Sequence, residues 1–174
     1  IKNFDFGSTG SSKRWSDYDV GQTIDHTHGI TIDDATHTMA ANLYQNNARV
    51  HFDAYLMGQT AFKKRLVYGG HIISLCNVIG FQGMENALNI VAINSGTHCN
   101  PSFAGDTIYA KTIILEKNNM QGRTDLGLLR LRLVGIKNQK PSSLQSIMQE
   151  NSTTRYRDNV VLDLDYTVTI PKGN

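Results

Sequence analysis

The second half of the chain alternates between apolar and polar residues with a period of two. The pattern runs through DTIYAKTIILEK, LGLLRLRLVGIK and VVLDLDYTVTI, and in the last of these Leu162 and Leu164 alternate with Asp163 and Asp165. Because successive side chains of a strand point to opposite faces of a sheet, this pattern predicts long antiparallel strands with one buried face. The run NIVAIN predicts a shorter strand before them.

The first half of the chain has the wider spacing of helices. The run GGHIISLCNVIGF is apolar nearly all round, which predicts a buried central helix that begins at or just before Gly69 and Gly70. An edge strand is predicted to end near Ile30 and Ile32, and a helix follows it. The apolar face of that helix is expected to contain Ala35, Met39, Ala40 and Leu43.

A buried helix followed by long antiparallel strands predicts an α+β domain, in which a curved sheet wraps around the helix. Residues 1–14 are rich in Gly and Ser and are interpreted as a linker or N-terminal arm, whereas residues 15–174 are interpreted as a single domain. The polar stretch 141–158 has no clear period and is expected to be a long loop with some helix.

The composition is that of an ordinary globular protein: 174 residues, 40% of them apolar and 18% charged. A net charge of +2 does not favour nucleic acid as a partner, although it would suit an anionic ligand. No apolar run approaches the ~18 residues of a membrane span, so no membrane segment is predicted. Cys76 and Cys99 lack CxxC spacing, which favours free thiols in the reducing cytoplasm. The chain begins at Ile1 without a methionine, which leaves open a processed chain or part of a longer protein.

Two features predict acid–base chemistry. His51 lies in YQNNARVHFDA, a polar segment between predicted helices, where an imidazole is suited to move protons near neutral pH. Gly69 and Gly70 would present free N–H groups at a helix N-terminus, which is a binding site for an oxyanion. The alternatives, a surface-loop histidine and a simple Gly-rich turn, remain open at this point.

The other histidines give weaker signals. His26 and His28 flank a threonine and would share a strand face as metal ligands do, but no third ligand follows at a recognisable spacing. No metal site is therefore predicted, and both are expected to be exposed. His37 is expected to be solvated on the polar side of its helix. For His98, which precedes a Pro and a Gly-Asp turn, a turn-packing role is favoured over lining a pocket.

The order of three motifs, YQNNARVHFDA, FKKRLVYGGHIISL and NPSFAGDT, resembles the MaoC-like hydratases of the hot-dog fold. Within that family the resemblance is to the second of two repeats in the group that hydrates mesaconyl-CoA (2-methylfumaryl-CoA), and it covers nearly the whole chain. It implies a long helix wrapped by a five- or six-stranded sheet, with hot-dog domains packed as a homodimer, a higher oligomer or two repeats. The implied activity is reversible hydration of an enoyl-CoA thioester to β-methylmalyl-CoA, with no cofactor because CoA is part of the substrate.

The resemblance also assigns catalytic residues. His51 matches the histidine of an Asp–His pair spaced five residues apart, and Asn46 falls where most of the family has the aspartate. Gly69 matches the glycine whose N–H polarises the thioester carbonyl, and Asn77 falls at the position of a supporting serine. An amide cannot transfer a proton. Either His51 transfers the proton alone while Asn46 orients the water, or this copy of the fold is catalytically inactive.

Substrate binding is assigned to Tyr44, Tyr68, Arg49 and Asn77. Arg49 replaces a residue that is usually proline, and it would pair with a free carboxylate on the acyl group. A salt bridge or a contact to a CoA phosphate is the alternative. Two other functions remain: a hot-dog thioesterase, disfavoured because the central helix has no well-placed catalytic acid, and a non-catalytic half that binds acyl-CoA.

Overall fold

A computed structural model describes residue 1 and residues 3–173 of the chain. Five strands form one antiparallel sheet in the spatial order β1-β3-β4-β5-β2. The strands are β1 (Thr23–Thr31), β2 (Ile90–His98), β3 (Thr107–Asn119), β4 (Leu126–Lys137) and β5 (Val160–Pro171), and the helices are α1 (Asp34–Leu43), α2 (Ala54–Gly58) and α3 (Gly69–Gly80). The α+β class and the long antiparallel strands are confirmed.

The core lies between one face of the sheet and α3. Leu129, Leu131 and Leu133 of β4 are at most 1% exposed and belong to one cluster with Ile72 and Cys76 of α3. The helix approaches the sheet closely at Gly135, where a Cβ atom would lie 2.7 Å from Cys76 Sγ. The glycine near the end of β4 is therefore explained by the close approach of the Cys76 side chain from the central helix.

The central helix is buried on one face only. Ile72, Cys76 and Ile79 are buried, whereas Val78 and Phe81 are 63% and 56% exposed. The predicted buried central helix is thus buried on one face of α3, because the sheet covers a single side of it. The edge strand β2 is also open: all nine of its residues are exposed.

The inward face of α1 differs from the predicted one. Met39 and Leu43 are 65% and 71% exposed, while His37 and Ala41 are fully buried. The expectation that His37 is solvated is therefore wrong. Its Nε2 lies 3.2 Å from Asp34 Oδ1, and this polar contact makes burial of the ring tolerable. Burial nevertheless lowers the pKa of His37.

The two histidines of β1 lie in different environments. His26 is 2% exposed and its Nε2 lies 2.8 Å from Thr112 Oγ1, whereas His28 is exposed as predicted. The prediction for His26 is wrong because the register shifts between His26, which pairs with Ala110, and Ile30, which pairs with Ile108. Such an irregularity breaks the simple alternation of strand faces. Within the described residues, no group of His, Cys, Asp or Glu could hold a metal ion.

Hydrogen bonds tie the N-terminal residues to the segment after α3. The side-chain amide of the buried Asn86 donates to the carbonyls of Ser11 and Lys13 at 2.9 and 2.8 Å, and the Thr9 hydroxyl donates to Asn86 Oδ1. In the polar stretch 141–158 there is one short 3-10 helix, Pro141–Ser143, as its interpretation as a loop with some helix anticipated. None of the described helices is long and apolar enough to cross a membrane.

Candidate active site

The N-terminus of α3 opens into a cavity of about 560 Å³, a size typical of small-molecule sites. Four of the residues assigned from the sequence line it together: Asn46, His51, Tyr68 and Gly69. The opposite wall comes from the end of β2 and the loop that follows it, and includes His98, Asn100 and Ser102. Segments far apart in the sequence thus converge on the first turn of the central helix.

His51 is held in a defined orientation. It ends a short 3-10 helix, Arg49–His51, and its Nδ1 lies 2.9 Å from the carbonyl oxygen of Leu66. Because a carbonyl only accepts hydrogen bonds, Nδ1 carries the hydrogen, and in the neutral ring Nε2 keeps its lone pair. The ring of Tyr68 packs edge-on against the imidazole at a centroid distance of 5.8 Å. This is the tautomer and support that a general base requires.

Asn46 presents a hydrogen-bond donor to its surroundings. Gln45, with a φ of 53°, turns the chain away from α1, and the Asn46 N–H bonds to the carbonyl of Ala41. The Asn46 Oδ1 accepts the N–H of Ala48 at 2.9 Å. This bond uses one lone pair of the oxygen, and the amide nitrogen has no partner within the described chain; it can donate but cannot take a proton.

The first two residues of α3 supply unpaired donors. The N–H groups of His71 and Ile72 bond to the carbonyl of Tyr68, but those of Gly69 and Gly70 have no acceptor among the described residues. Tyr68 does not cap the helix with its side chain. Free N–H groups at the positive end of a helix dipole favour an oxygen atom that carries negative charge. The predicted oxyanion site therefore has its donors available.

His98 lines the cavity, although turn packing was favoured from the sequence. Its imidazole lies against Gly69, and its partial burial there lowers the pKa of the ring. Ser102 lines the same cavity with a buried hydroxyl that has no partner within the described chain. Neither residue has a periodic signal that could have identified it, because their location depends on where β2 ends relative to α3.

Three assigned residues lie elsewhere. Arg49 donates through Nε and Nη2 to Asp53 Oδ2 at 3.1 and 2.6 Å, and its side chain is 65% exposed outside the cavity lining. Tyr44 is 61% exposed, with its ring 6.4 Å from that of Tyr68, at the rim. Asn77 lies on the exposed side of α3 and lines a different cavity, so the structure does not bring it to this site.

Comparisons with known proteins relate the chain to named enzymes. No family model matches the chain. Over 170 residues, 98% of this chain, it is 49% identical to a beta-methylmalyl-CoA dehydratase from Chloroflexus aurantiacus and 41% identical to a mesaconyl-CoA hydratase from Cereibacter sphaeroides. Each alignment covers 47% of the relative, so the chain spans about half the length of the curated relatives it matches.

Solved structures give the same result. A MaoC domain protein dehydratase from Chloroflexus aurantiacus superposes with a TM-score of 0.92 at 48% identity, over 99% of this chain and 48% of that chain. A monoamine oxidase regulatory protein from Archaeoglobus superposes with a TM-score of 0.73 at 18% identity, over 93% and 96% of the two chains. A Mycobacterium tuberculosis protein with a double hot-dog fold superposes with a TM-score of 0.70 at 18% identity, over 92% of this chain and 44% of that one. The resemblance drawn from the motifs is thereby confirmed: over nearly its whole length the chain is similar to MaoC-like dehydratases, and its fold is the hot-dog fold.

Proposed function

We propose that this chain carries the acid–base site of a hydro-lyase that adds water reversibly to mesaconyl-CoA to give β-methylmalyl-CoA. The observation that carries the proposal is the cavity that His51 shares with the free N–H groups of Gly69 and Gly70. The names of the two curated relatives describe the two directions of such a reaction. A base and an oxyanion site are the two parts that water addition to an enoyl thioester needs.

In the hydration direction, His51 Nε2 takes a proton from water while the water oxygen bonds to the β-carbon. The double-bond electrons move toward the thioester oxygen, where the Gly69 N–H stabilises the enolate, an effect typically worth about 10²–10³-fold in rate. The proton held by His51 then passes to the α-carbon, so the histidine returns to its starting form. The Asn46 amide nitrogen donates to the water and orients it.

The remaining assigned residues are proposed to bind the substrate. Tyr68 forms the wall beside His51, and Tyr44 forms the rim. Arg49 releases the Asp53 carboxylate and binds an anionic group of the substrate in its place. Because one anion replaces another, the guanidinium stays paired. Asn77 is left out because it faces another cavity. The reaction needs no cofactor, since the CoA is part of the substrate.

A second hot-dog domain is the proposed partner, as a homodimer or a higher oligomer. The open edge of β2 exposes Ile90, Val91 and Ile93, and Val78 of α3 and Phe81 just after the helix are exposed as well. Exposed strand edges and apolar patches of this kind are characteristic of association surfaces. Light scattering of the wild type and of Ile93→Lys tests this, with a loss of the oligomer expected. The two free thiols, Cys76 and Cys99, support a cytoplasmic location.

The test of function is a spectrophotometric assay of enoyl-CoA esters that includes mesaconyl-CoA and crotonyl-CoA. Loss of absorbance of the conjugated thioester is expected with mesaconyl-CoA, and His51→Ala should abolish turnover. If His51→Ala keeps full activity, the assignment of the base is wrong. Release of free CoA, detected with a thiol reagent, would instead identify a thioesterase. Binding of CoA esters without hydration would identify a non-catalytic half.

A further inference from the structure

The imidazole of His98, the last residue of β2, lies directly against the backbone of Gly69. A Cβ atom on Gly69 would lie 2.4 Å from His98 Nε2 and 2.7 Å from Cε1, closer than real side chains approach. Gly69 is not in the positive-φ region, so its backbone conformation does not require glycine. Glycine costs a helix about 0.5–1 kcal/mol relative to alanine. What glycine provides at this position is therefore room for the imidazole.

The polar atoms around this contact have unused hydrogen-bonding capacity. Within the described chain, neither ring nitrogen of His98 has a hydrogen-bond partner, and the buried hydroxyl of Ser102 has none either. The N–H groups of Gly69 and Gly70 lie beside them. The missing partner of the buried Ser102 hydroxyl costs about 1–3 kcal/mol, whereas His98 belongs to the exposed end of β2. An oxygen-bearing ligand at the start of α3 would satisfy several of these groups together.

We propose that His98 donates a second hydrogen bond to the thioester oxygen of the acyl-CoA substrate, beside the N–H of Gly69. The inference rests on the hydration proposed above and adds a residue to it. Partial burial lowers the pKa of His98, so at neutral pH the ring is uncharged and offers one N–H. A preorganised donor of this kind stabilises the charge that develops on the oxygen in the enolate.

A second role for the same side chain would be to bind the free carboxylate of a dicarboxylic acyl group. Among the described residues that line the cavity there is no Lys or Arg, so His51 and His98 are the basic side chains in that lining. The contact with Gly69 favours the thioester oxygen, because that oxygen is the substrate atom expected at the helix N-terminus. The two roles differ in which substrates they affect.

The kinetic test compares His98→Phe, which keeps a ring but removes the donor, with His98→Gln, which restores an N–H. For His98→Phe, kcat should fall about 10²–10³-fold with both mesaconyl-CoA and crotonyl-CoA, while KM changes little. His98→Gln should recover at least part of this loss. His28→Phe is the matched control, since His28 is an exposed strand histidine outside the cavity, and it should keep wild-type rates.

A measurement without turnover separates this inference from the proposed function. Butyryl-CoA carries the thioester but has no double bond to hydrate, and a carbon-13 label at its carbonyl allows isotope-edited infrared spectroscopy of the bound ester. Binding to the wild type should lower the carbonyl frequency, and His98→Phe should remove much of that shift.

Each outcome is decisive. An unchanged carbonyl frequency and unchanged kcat in His98→Phe would overturn the role of His98. A loss confined to the KM of mesaconyl-CoA would also overturn it, in favour of carboxylate binding. A wild type that polarises bound butyryl-CoA but hydrates no enoyl-CoA would refute the proposed function and leave the second donor standing.

Discussion

Replacing Gly69 with alanine tests the site through a single methyl group. The new Cβ would lie 2.4 Å from His98 Nε2, whereas ordinary van der Waals contacts lie at 3.4–4 Å, so the ring must move by about 1 Å. His98 lies at the exposed end of an edge strand, so its ring can move toward solvent without disturbing the core. Alanine also favours a helix interior by about 0.5–1 kcal/mol, and by less at this first residue of α3. The free energy of unfolding should therefore stay the same or rise slightly.

The activity of Gly69→Ala should fall even though its stability does not. A displacement of about 1 Å in a positioned group can cost about 10²-fold in rate. We expect kcat for mesaconyl-CoA hydration to fall by that order while KM changes little, as measured by initial rates alongside urea unfolding. Gly58→Ala is the matched control, because nothing lies within 4 Å of a Cβ at the end of α2. It should leave the rate unchanged.

A double variant checks the mechanism of the loss. If the methyl group acts by displacing the imidazole, Gly69→Ala combined with His98→Ala should be no slower than His98→Ala alone, because the two changes remove the same interaction. Full activity in Gly69→Ala would refute the reasoning. A double variant much slower than either single one would show that the methyl group disturbs the N–H donors themselves.

Three further predictions concern stability. Burial lowers the pKa of His26 and His37, so below pH 6.5 the unfolded chain binds protons that the native chain does not. The free energy of unfolding should therefore fall as the pH drops, by up to about 1.4 kcal/mol per pH unit for each histidine. Equal urea midpoints about one pH unit above and below pH 6.5 would contradict this prediction. Leu131→Ala, at a fully buried position, should cost about 2–5 kcal/mol in urea unfolding, and a cost well below this would mean that the core closes around the gap. Asp163→Ala leaves Arg132 without the carboxylate partner that lies at 2.6–2.7 Å, and it should lower the melting temperature. Adding Arg132→Leu should restore part of that loss, and an unchanged melting temperature in Asp163→Ala would mean that the ion pair contributes nothing.

The sequence predicted the sheet well because strict alternation admits one arrangement of buried and exposed faces. It failed at His37, whose burial depends on a contact with Asp34 and on which face of α1 turns inward. Hydrophobicity favoured Met39 and Leu43 for that face, yet both are exposed. For short helices at the edge of a core, tertiary packing outweighs the hydrophobic pattern.

The same distinction holds in the site. His51 could be identified from its polar loop, and Asn46 from the resemblance, because both lie within one short motif. The sequence did not predict that His98 lines the cavity, because its contact with Gly69 joins residues far apart in the sequence and depends on where β2 ends. The pairing of Arg49 with Asp53 was readable in principle, since the two lie four residues apart, where opposite charges commonly meet.

If a second domain pairs along the open edge of β2, assembly and turnover become linked. The strand contains no charged residue that would discourage pairing with another strand, and its last residue is His98. A domain that pairs along β2 would order the backbone that carries this imidazole. Specific activity should then fall on dilution as the pairs dissociate, and enzyme concentration itself would regulate the rate per site.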